Sequence, residues 1–472
     1  MTSNKQYKLG LHLFRRDFRL ADNLGLIEAC KLCETVVPVF IFTYEQIRDN
    51  PLKSNNCVQF LCESLHDLNT QLIGEHSRLF IFYGDGLEII RKLVKQNAIE
   101  LISFNMEYTK YGRNRDDAIK SLCDAESIKC LETEDITLNP MGSVRTSGGQ
   151  IYTKYTPYFR ASSSRDIPKP TDKTPTNYLG AKHKLKGVAE YNGKLEAFHD
   201  NITNSHLIKK GGRAEALKIL ADLKPFNEYN DRRNELTYQT THLSAYNKFG
   251  CVSIREVYWA IRNKLGKSSQ LLAQLFWRDF FYTLSFYHPE IYSGSMNPKW
   301  RNIKWSGDSS KFKAWCRGET GFPIVDSAMR EINATGFMHN RARLIVSNFL
   351  SRMLGIDWRQ GEHYFAKMLY DYDPAQNNLG WQITASVSGT ESRVIDQTIM
   401  NPWIQSHKFD RDATYIKKWL PELEAVPANQ IHKWNEVCDD YIKKGIKYIC
   451  PILDYKTSKE ANLALYRKYI SK

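Results

Sequence analysis

Residues 336–350 read GFMHNRARLIVSNFL, a polar opening that becomes an apolar helix. Met338, His339, Asn340, Arg341 and Arg343 arrive together. Leu344, Ile345, Val346, Phe349, Leu350 and Met353 then recur at the spacing of a buried helical face. The same periodicity runs through SIREVYWAIRNKL (253–265), QLLAQLFWRDFFYTLSFY (270–287) and GFPIVDSAMREI (321–332), so residues 201–472 are predicted to be all-helical. An asparagine and two arginines at the mouth of an apolar helix need something polar to face.

Upstream the period changes. KLGLHLF (8–14), TVVPVFIFT (35–43), SRLFIFYG (77–84) and IELISFN (99–105) are short β-branched and aromatic runs separated by helical stretches. That alternation predicts a Rossmann-like α/β domain with a parallel sheet over residues 1–135. Neither GxGxxG nor GxxxxGK[ST] occurs in it. Residues 136–200, rich in Ser, Thr, Pro, Gly and Lys, read as an interdomain connector.

A chain of 472 residues exceeds one compact core, consistent with this division. Its net charge of +14 points to a polyanionic partner, most often nucleic acid. No apolar run reaches the ~18 residues of a membrane span, and MTSNKQYKLGLHLF has no signal-peptide core. The expectation is an intracellular protein, in cytoplasm or nucleus and not secreted, with all 10 cysteines reduced. Cys30 and Cys33 form a CxxC without a second pair nearby, which reads as helix packing, and no metal site is expected.

All 10 tryptophans, from Trp259 to Trp434, fall in the helical half, which suggests that it holds something flat and aromatic. Three polar clusters sit among its helices. TYQTTHLSAYNKFG (237–250) sets Thr240, Thr241 and Ser244 before a helix, where hydroxyls and N–H groups suit an anion, although helix capping is what such residues usually do and is the stronger reading of this cluster alone. In FWRDFF (276–281), Gln274 shares a helix face with Trp277, an amide beside an indole that could read a base, or else a buried amide bound to backbone. In YDYDPAQNNLGWQ (370–382), Asp371 and Asp373 need cationic partners if they are buried, and Arg341 and Arg343 are the nearest candidates.

Together with LFRRDFRLADNLGL (13–26), TTHLSAYNKFGCVSIREV (240–257) and GETGFPIVDSAMREI (318–332), these segments resemble the motifs of the photolyase/cryptochrome family. The resemblance is in family order from about residue 9 to about residue 425, and is closest to class I-like cyclobutane-dimer photolyases. It implies an N-terminal antenna-type domain, an all-helical domain gripping a U-shaped FAD, UV-damaged DNA as partner, and a monomer. It further implies that Tyr229, Thr240, Thr241 and Ser244 hold flavin phosphates and ribityl hydroxyls and that Arg278 belongs to the cofactor set. By the same likeness Arg343 and Asp371 form the ion pair over the isoalloxazine, Asp373 lies beside the ring, and Asn377 faces flavin N5. Trp381, Trp358 and Trp305 match the family's electron-relay tryptophans.

The activity implied is light-driven electron transfer from reduced FAD to a flipped-out pyrimidine dimer. Two histidines one turn apart mark the (6-4) branch; here those positions are Asn340 and Leu344, which disfavours that lesion. Asn340 and Arg341 then take the substrate and backbone-phosphate contacts. Three positions depart from the cyclobutane pattern: Gln274 for Glu, Leu344 for Met, and Ile383 for a pocket tryptophan, which leaves Trp277 as the main stacking surface. The alternative is a cryptochrome-type photoreceptor; such proteins commonly add a long C-terminal extension, and the short end of this chain favours repair. A second, antenna chromophore stays open among a deazaflavin, a flavin and none. Thr109 stands where folate binders place Glu, and Tyr292 and Ser293 replace other folate contacts.

Overall fold

A computed structural model describes residues 5–390 and 398–470. The outermost residues of both expected terminal domains, 1–4 and 471–472, lie outside the described residues. Five strands, β1 (Tyr7–Phe14), β2 (Cys33–Thr43), β3 (Phe80–Gly84), β4 (Leu101–Asn105) and β5 (Lys129–Thr133), form one all-parallel sheet in the order β3-β2-β1-β4-β5. The central strands are buried on both faces, which is why they read as continuous apolar runs instead of alternating ones. Helices Leu24–Leu32, Asn55–Gly74, Gly86–Asn97 and Lys110–Ala125 connect them, started by side-chain caps from Asn23, Ser54, Asp85 and Thr109. Thr109 thus has a local structural task, accepting from the Gly112 N–H.

Packing does not follow the expected division at residues 135 and 200. One compact unit comprises residues 1–203, 209–227 and 242–289; the other comprises 204–208, 228–241 and 290–472. Helices Arg213–Ala221, Ser244–Phe249, Ile254–Leu265 and Gln270–Tyr287 belong to the unit that contains the sheet. Arg255, almost fully buried, bridges Asp22 and Asp135, and Phe18 N–H donates to the Phe249 carbonyl at 3.1 Å. Gly250, at φ +59°, lets the chain run so close that a Cβ there would sit 2.2 Å from the Arg16 carbonyl oxygen. Residues 136–200 are no free connector either. Val36 exchanges backbone hydrogen bonds with Asn177 and Leu179, and Tyr155–Ser163 is a helix packed on Gln270–Tyr287.

Asp279 anchors the start of that segment, accepting from the Leu138 and Asn139 N–H groups at 2.8 and 3.4 Å. Burial pushes its carboxyl up to about 7, against the pull of Arg278 and the two N–H groups. The folded state therefore keeps a proton that the unfolded chain has already lost, so this group's contribution to stability falls as pH rises from about 4 to about 7. By linkage the loss reaches about 4 kcal/mol. Asp279→Asn, which keeps an acceptor but cannot ionise, is expected to be the more resistant protein at pH 8 and to lose that advantage at pH 5. Urea unfolding at both values checks this; identical pH profiles would remove Asp279 from the account.

The second unit is helical, built from Ser309–Arg317, Pro323–Thr335, Asn340–Asn348, Trp358–Met368, Pro374–Thr384 and later helices around Trp315, Met329, Phe349, Leu350, Trp381 and Trp434. The apolar stripe that begins in Asn340–Asn348 continues through a π-turn at Phe349–Met353. Cys438 and Cys450 form a disulfide here, which corrects the expectation that all 10 cysteines are reduced. Among the described residues no helix is long and apolar enough to cross a membrane.

Candidate functional site

The expected site residues divide between the units and are described within each. In the helical unit the polar start of residues 336–350 resolves into a cap and an ion pair. His339 is the N-cap of Asn340–Asn348, its Nδ1 accepting from the Arg341 N–H at 3.1 Å. That bond assigns the proton to Nε2, which is buried and has no hydrogen-bond partner among the described residues. Burial, then the charges of Arg343 and Arg341, push the imidazole down to about 4, so it is neutral at pH 7. Arg343 reaches Asp371 with Nη2 at 3.0 and 2.9 Å while its Nε donates to the Met338 carbonyl. Asp371 is 3% exposed and the arginine 25%, so the pair is sealed on the acid side and open on the cation side.

Asp373 caps the Pro374–Thr384 helix, accepting from Gln376 N–H with Pro374 at the first helical position. One turn on, Asn377 is clamped: its Nδ2 donates to the Glu362 carbonyl at 3.2 Å and to Glu362 Oε1 at 3.0 Å. The amide oxygen is the group left to bind elsewhere. Burial pushes Glu362 up to about 7, opposed by the bonds from Asn377 and Tyr372. Sequence reasoning missed Glu362. Its signal was there: Trp358, Glu362 and Phe365 share the buried stripe of one helix, and an acid on such a stripe has a partner or a task.

Trp381 is buried on the same helix as Asn377, edge-on to Trp315 at 6.0 Å and to Phe365 at 5.1 Å. Trp358 is buried, and Trp305 meets the Tyr466 ring at 6.2 Å. Among the described residues no ring contact runs directly from Trp381 to Trp358 or on to Trp305. Trp315 is a second indole beside Trp381 that the sequence did not single out. Trp381 fits only because residue 361 is glycine: a Cβ there would lie 2.2 Å from its Cη2 and 2.5 Å from Leu350 Cδ2. Gly361→Ala is expected to cost about 1–3 kcal/mol by overpacking and to displace the indole. Thermal melting and tryptophan near-UV circular dichroism read both effects, and an unchanged near-UV spectrum would show that the site absorbs the methyl.

Asn340 is exposed, and Leu344, one turn further along the same helix, is half-buried, as is Ile383 on Pro374–Thr384. Arg341 is held by Asn234 Oδ1 at 2.6 and 3.2 Å and lies over Phe409. Tyr229 opens a short helix and is half-buried; Thr240 is half-buried and Thr241 buried.

In the other unit Ser244 is the exposed first residue of its helix. Gln274 and Trp277 share one face of Gln270–Tyr287, with Trp277 stacked on Tyr155 at 3.6 Å and 10°. Arg278 is buried and donates to the carbonyls of Ile136 at 2.6 Å and Asn247 at 3.2 Å, a structural task the sequence did not foresee. A separate cavity of about 300 Å³ opens where β1 and β2 end, lined by Phe14, Arg15, Phe40, Thr43, Tyr111 and Arg115. Mostly apolar walls with a few polar groups at the carboxyl ends of parallel strands are a common ligand seat.

Two family models match the chain: the FAD binding domain of DNA photolyase over residues 271–468, and DNA photolyase over residues 10–176. A deoxyribodipyrimidine photo-lyase of Agrobacterium fabrum is 32% identical over 471 residues, 96% of either chain. Among solved structures, a class III photolyase from Agrobacterium tumefaciens superposes with a TM-score of 0.90 at 30% identity, all of both chains being covered. An archaeal photolyase from Sulfolobus tokodaii with two FAD molecules gives 0.85 at 32% identity, covering 98% of this chain and 100% of that one.

Proposed function

The chain belongs to the photolyase/cryptochrome family, and we propose that it is a deoxyribodipyrimidine photolyase that splits cyclobutane pyrimidine dimers in UV-damaged DNA under blue light. Reduced FAD, when bound, supplies the excited electron that the dimer takes up and returns. The observation that carries the reading is the grouping, within one unit, of an ion pair open on its cationic side, a clamped asparagine and a buried tryptophan.

These residues fit a flavin. Arg343 offers a positive charge beside a sealed carboxylate, which favours an anionic ring. Asn377, its Nδ2 bound to Glu362, presents an acceptor suited to an N–H of a reduced flavin. The buried Nε2–H of His339, without a hydrogen-bond partner among the described residues, is a further donor that suits a polar edge of the cofactor. Tyr229, Thr240, Thr241 and Ser244 are assigned to the cofactor's phosphates and hydroxyls, and Trp381 to its reduction in light, with Trp358 and Trp305 behind it. Arg278, committed to two backbone carbonyls, is assigned to the scaffold.

Asn340, Arg341, Leu344 and Ile383 are assigned to DNA reading within the helical unit, and Gln274 and Trp277 carry the same assignment within their own unit. Neither Asn340 nor Leu344 can shuttle a proton as a histidine would, which disfavours (6-4) photoproducts. The cavity at the ends of β1 and β2 is the proposed seat of a second chromophore, as the archaeal neighbour holds two FAD molecules. The protein works as a monomer inside the cell, where its substrate is.

The test uses photoreduced protein and two oligonucleotides, one with a thymine cyclobutane dimer and one with a (6-4) product. Blue light is expected to restore intact thymines, read by chromatography, in the first alone. Restoration of neither, with FAD bound, would move the protein to the photoreceptor reading.

A further inference from the structure

The free cysteines of the sheet-containing unit differ in exposure. Cys30, Cys33, Cys62, Cys123 and Cys251 are buried, whereas Cys130 and Cys57 are half-buried; Cys57 lies in the first turn of Asn55–Gly74, its own N–H held by the capping Ser54. Its Sγ lies 2.8 Å from Nζ of Lys248, inside van der Waals contact for nitrogen and sulfur. The lysine is held in place as well: its carbonyl accepts from Arg16 Nε at 3.0 Å, and its ammonium lies over the Phe249 ring at 4.4 Å. The two residues stand 191 apart in sequence. A partly exposed thiol against a cation is the kind of environment in which cysteines react with oxidants. The separation leaves room for one bridging atom between sulfur and nitrogen.

We propose that Cys57 and Lys248 form an oxidation-dependent covalent crosslink, a sulfur–oxygen–nitrogen bridge closed by hydrogen peroxide. The thiol sulfur and the amine nitrogen each give up two electrons, and two peroxides are reduced. One S–H and two N–H bonds break, two O–O bonds break, and one S–O and one O–N bond form. Three waters leave, with one proton more because Lys248 starts as the ammonium. Sulfenic acid at Cys57 is the first product, and the adjacent nitrogen diverts it from further oxidation. Lys248 lies on the helix that Ser244 begins, so the bridge ties a helix proposed to hold flavin phosphates to the first long helix of the α/β layer. A thiol reductant reopens it. The device is a reversible staple that responds to oxidants and is separate from the electron path.

The experiment treats the FAD-loaded protein with hydrogen peroxide and maps its tryptic peptides by tandem mass spectrometry. The expected product is a linked peptide pair with the mass of both peptides plus one oxygen less two hydrogens, its fragment ions locating the link at Cys57 and Lys248. Dithiothreitol should remove it, and Cys57→Ser and Lys248→Arg, each checked for wild-type FAD absorbance, should lack it. The wild-type map stands alone if either variant fails to fold. Sulfenic or sulfinic acid at Cys57 without a linked peptide, a link lacking the oxygen, or a linked mass that survives in Lys248→Arg would each overturn the proposal.

Discussion

Trp381→Phe is expected to slow light-driven reduction of oxidised flavin by at least ~10-fold while leaving repair by chemically pre-reduced protein near the wild-type rate. A benzyl ring is far harder to oxidise than an indole, and a barrier rise of only about 1.4 kcal/mol already gives that factor. The prediction separates two jobs that one activity assay merges, loading the cofactor with electrons and spending an electron on the dimer. Stability is a confounder of known size. Trp381 is 2% exposed among Trp315, Phe365 and Leu350, so the smaller ring leaves a void worth on the order of 1–3 kcal/mol. That loss would lower repair and photoreduction together, whereas the relay role lowers only the second. Flavin absorbance under blue light with a thiol donor measures reduction, and chromatography of a dimer-bearing oligonucleotide measures repair. Unchanged photoreduction would place the entry of electrons elsewhere.

What the sequence made legible follows from which forces leave a mark on residue order. β1 and β4 showed themselves because strands buried on both faces must be apolar throughout, and Pro374–Thr384 because Asp373-Pro374 spells a capped start. The ion pair of Arg343 and Asp371 was foreseen as a pairing of buried acid with cation, and the structure brings the two together. Unit membership was not legible. Arg255, Asp22 and Asp135 are each ordinary charged residues in sequence, and only their burial together joins a late helix to the sheet. Residues 136–200 misled because a Ser/Thr/Pro/Gly-rich chain reads as linker whether it hangs free or, as here, is fixed by backbone bonds to Val36. Trp315 meets Trp381 from far along the chain, which composition and spacing do not report, whereas Glu362 was legible as an acid on the buried stripe of its helix.

The ion pair carries the second large expectation. Arg343→Leu should destabilise the protein by about 3–5 kcal/mol, because Asp371, 3% exposed, is left buried without its charge partner. It should also weaken FAD binding by roughly 10- to 100-fold, the loss of a charged hydrogen-bond donor worth about 1.5–3 kcal/mol. Either effect alone has a dull explanation, since an unstable protein sheds its cofactor. Pairing the change with Asp371→Asn separates them. With both charges removed the desolvation penalty disappears, and the double variant should regain most of the stability lost by Arg343→Leu, the signature of coupled neighbours. It should not regain FAD, because the cation that faces the ring is still missing. Urea unfolding of the apoprotein gives the stability cycle, and flavin fluorescence titration gives the affinity. Recovery of both together would make Arg343 and Asp371 a purely structural pair. Recovery of stability without FAD assigns Arg343 to the flavin and Asp371 to holding Arg343 in place.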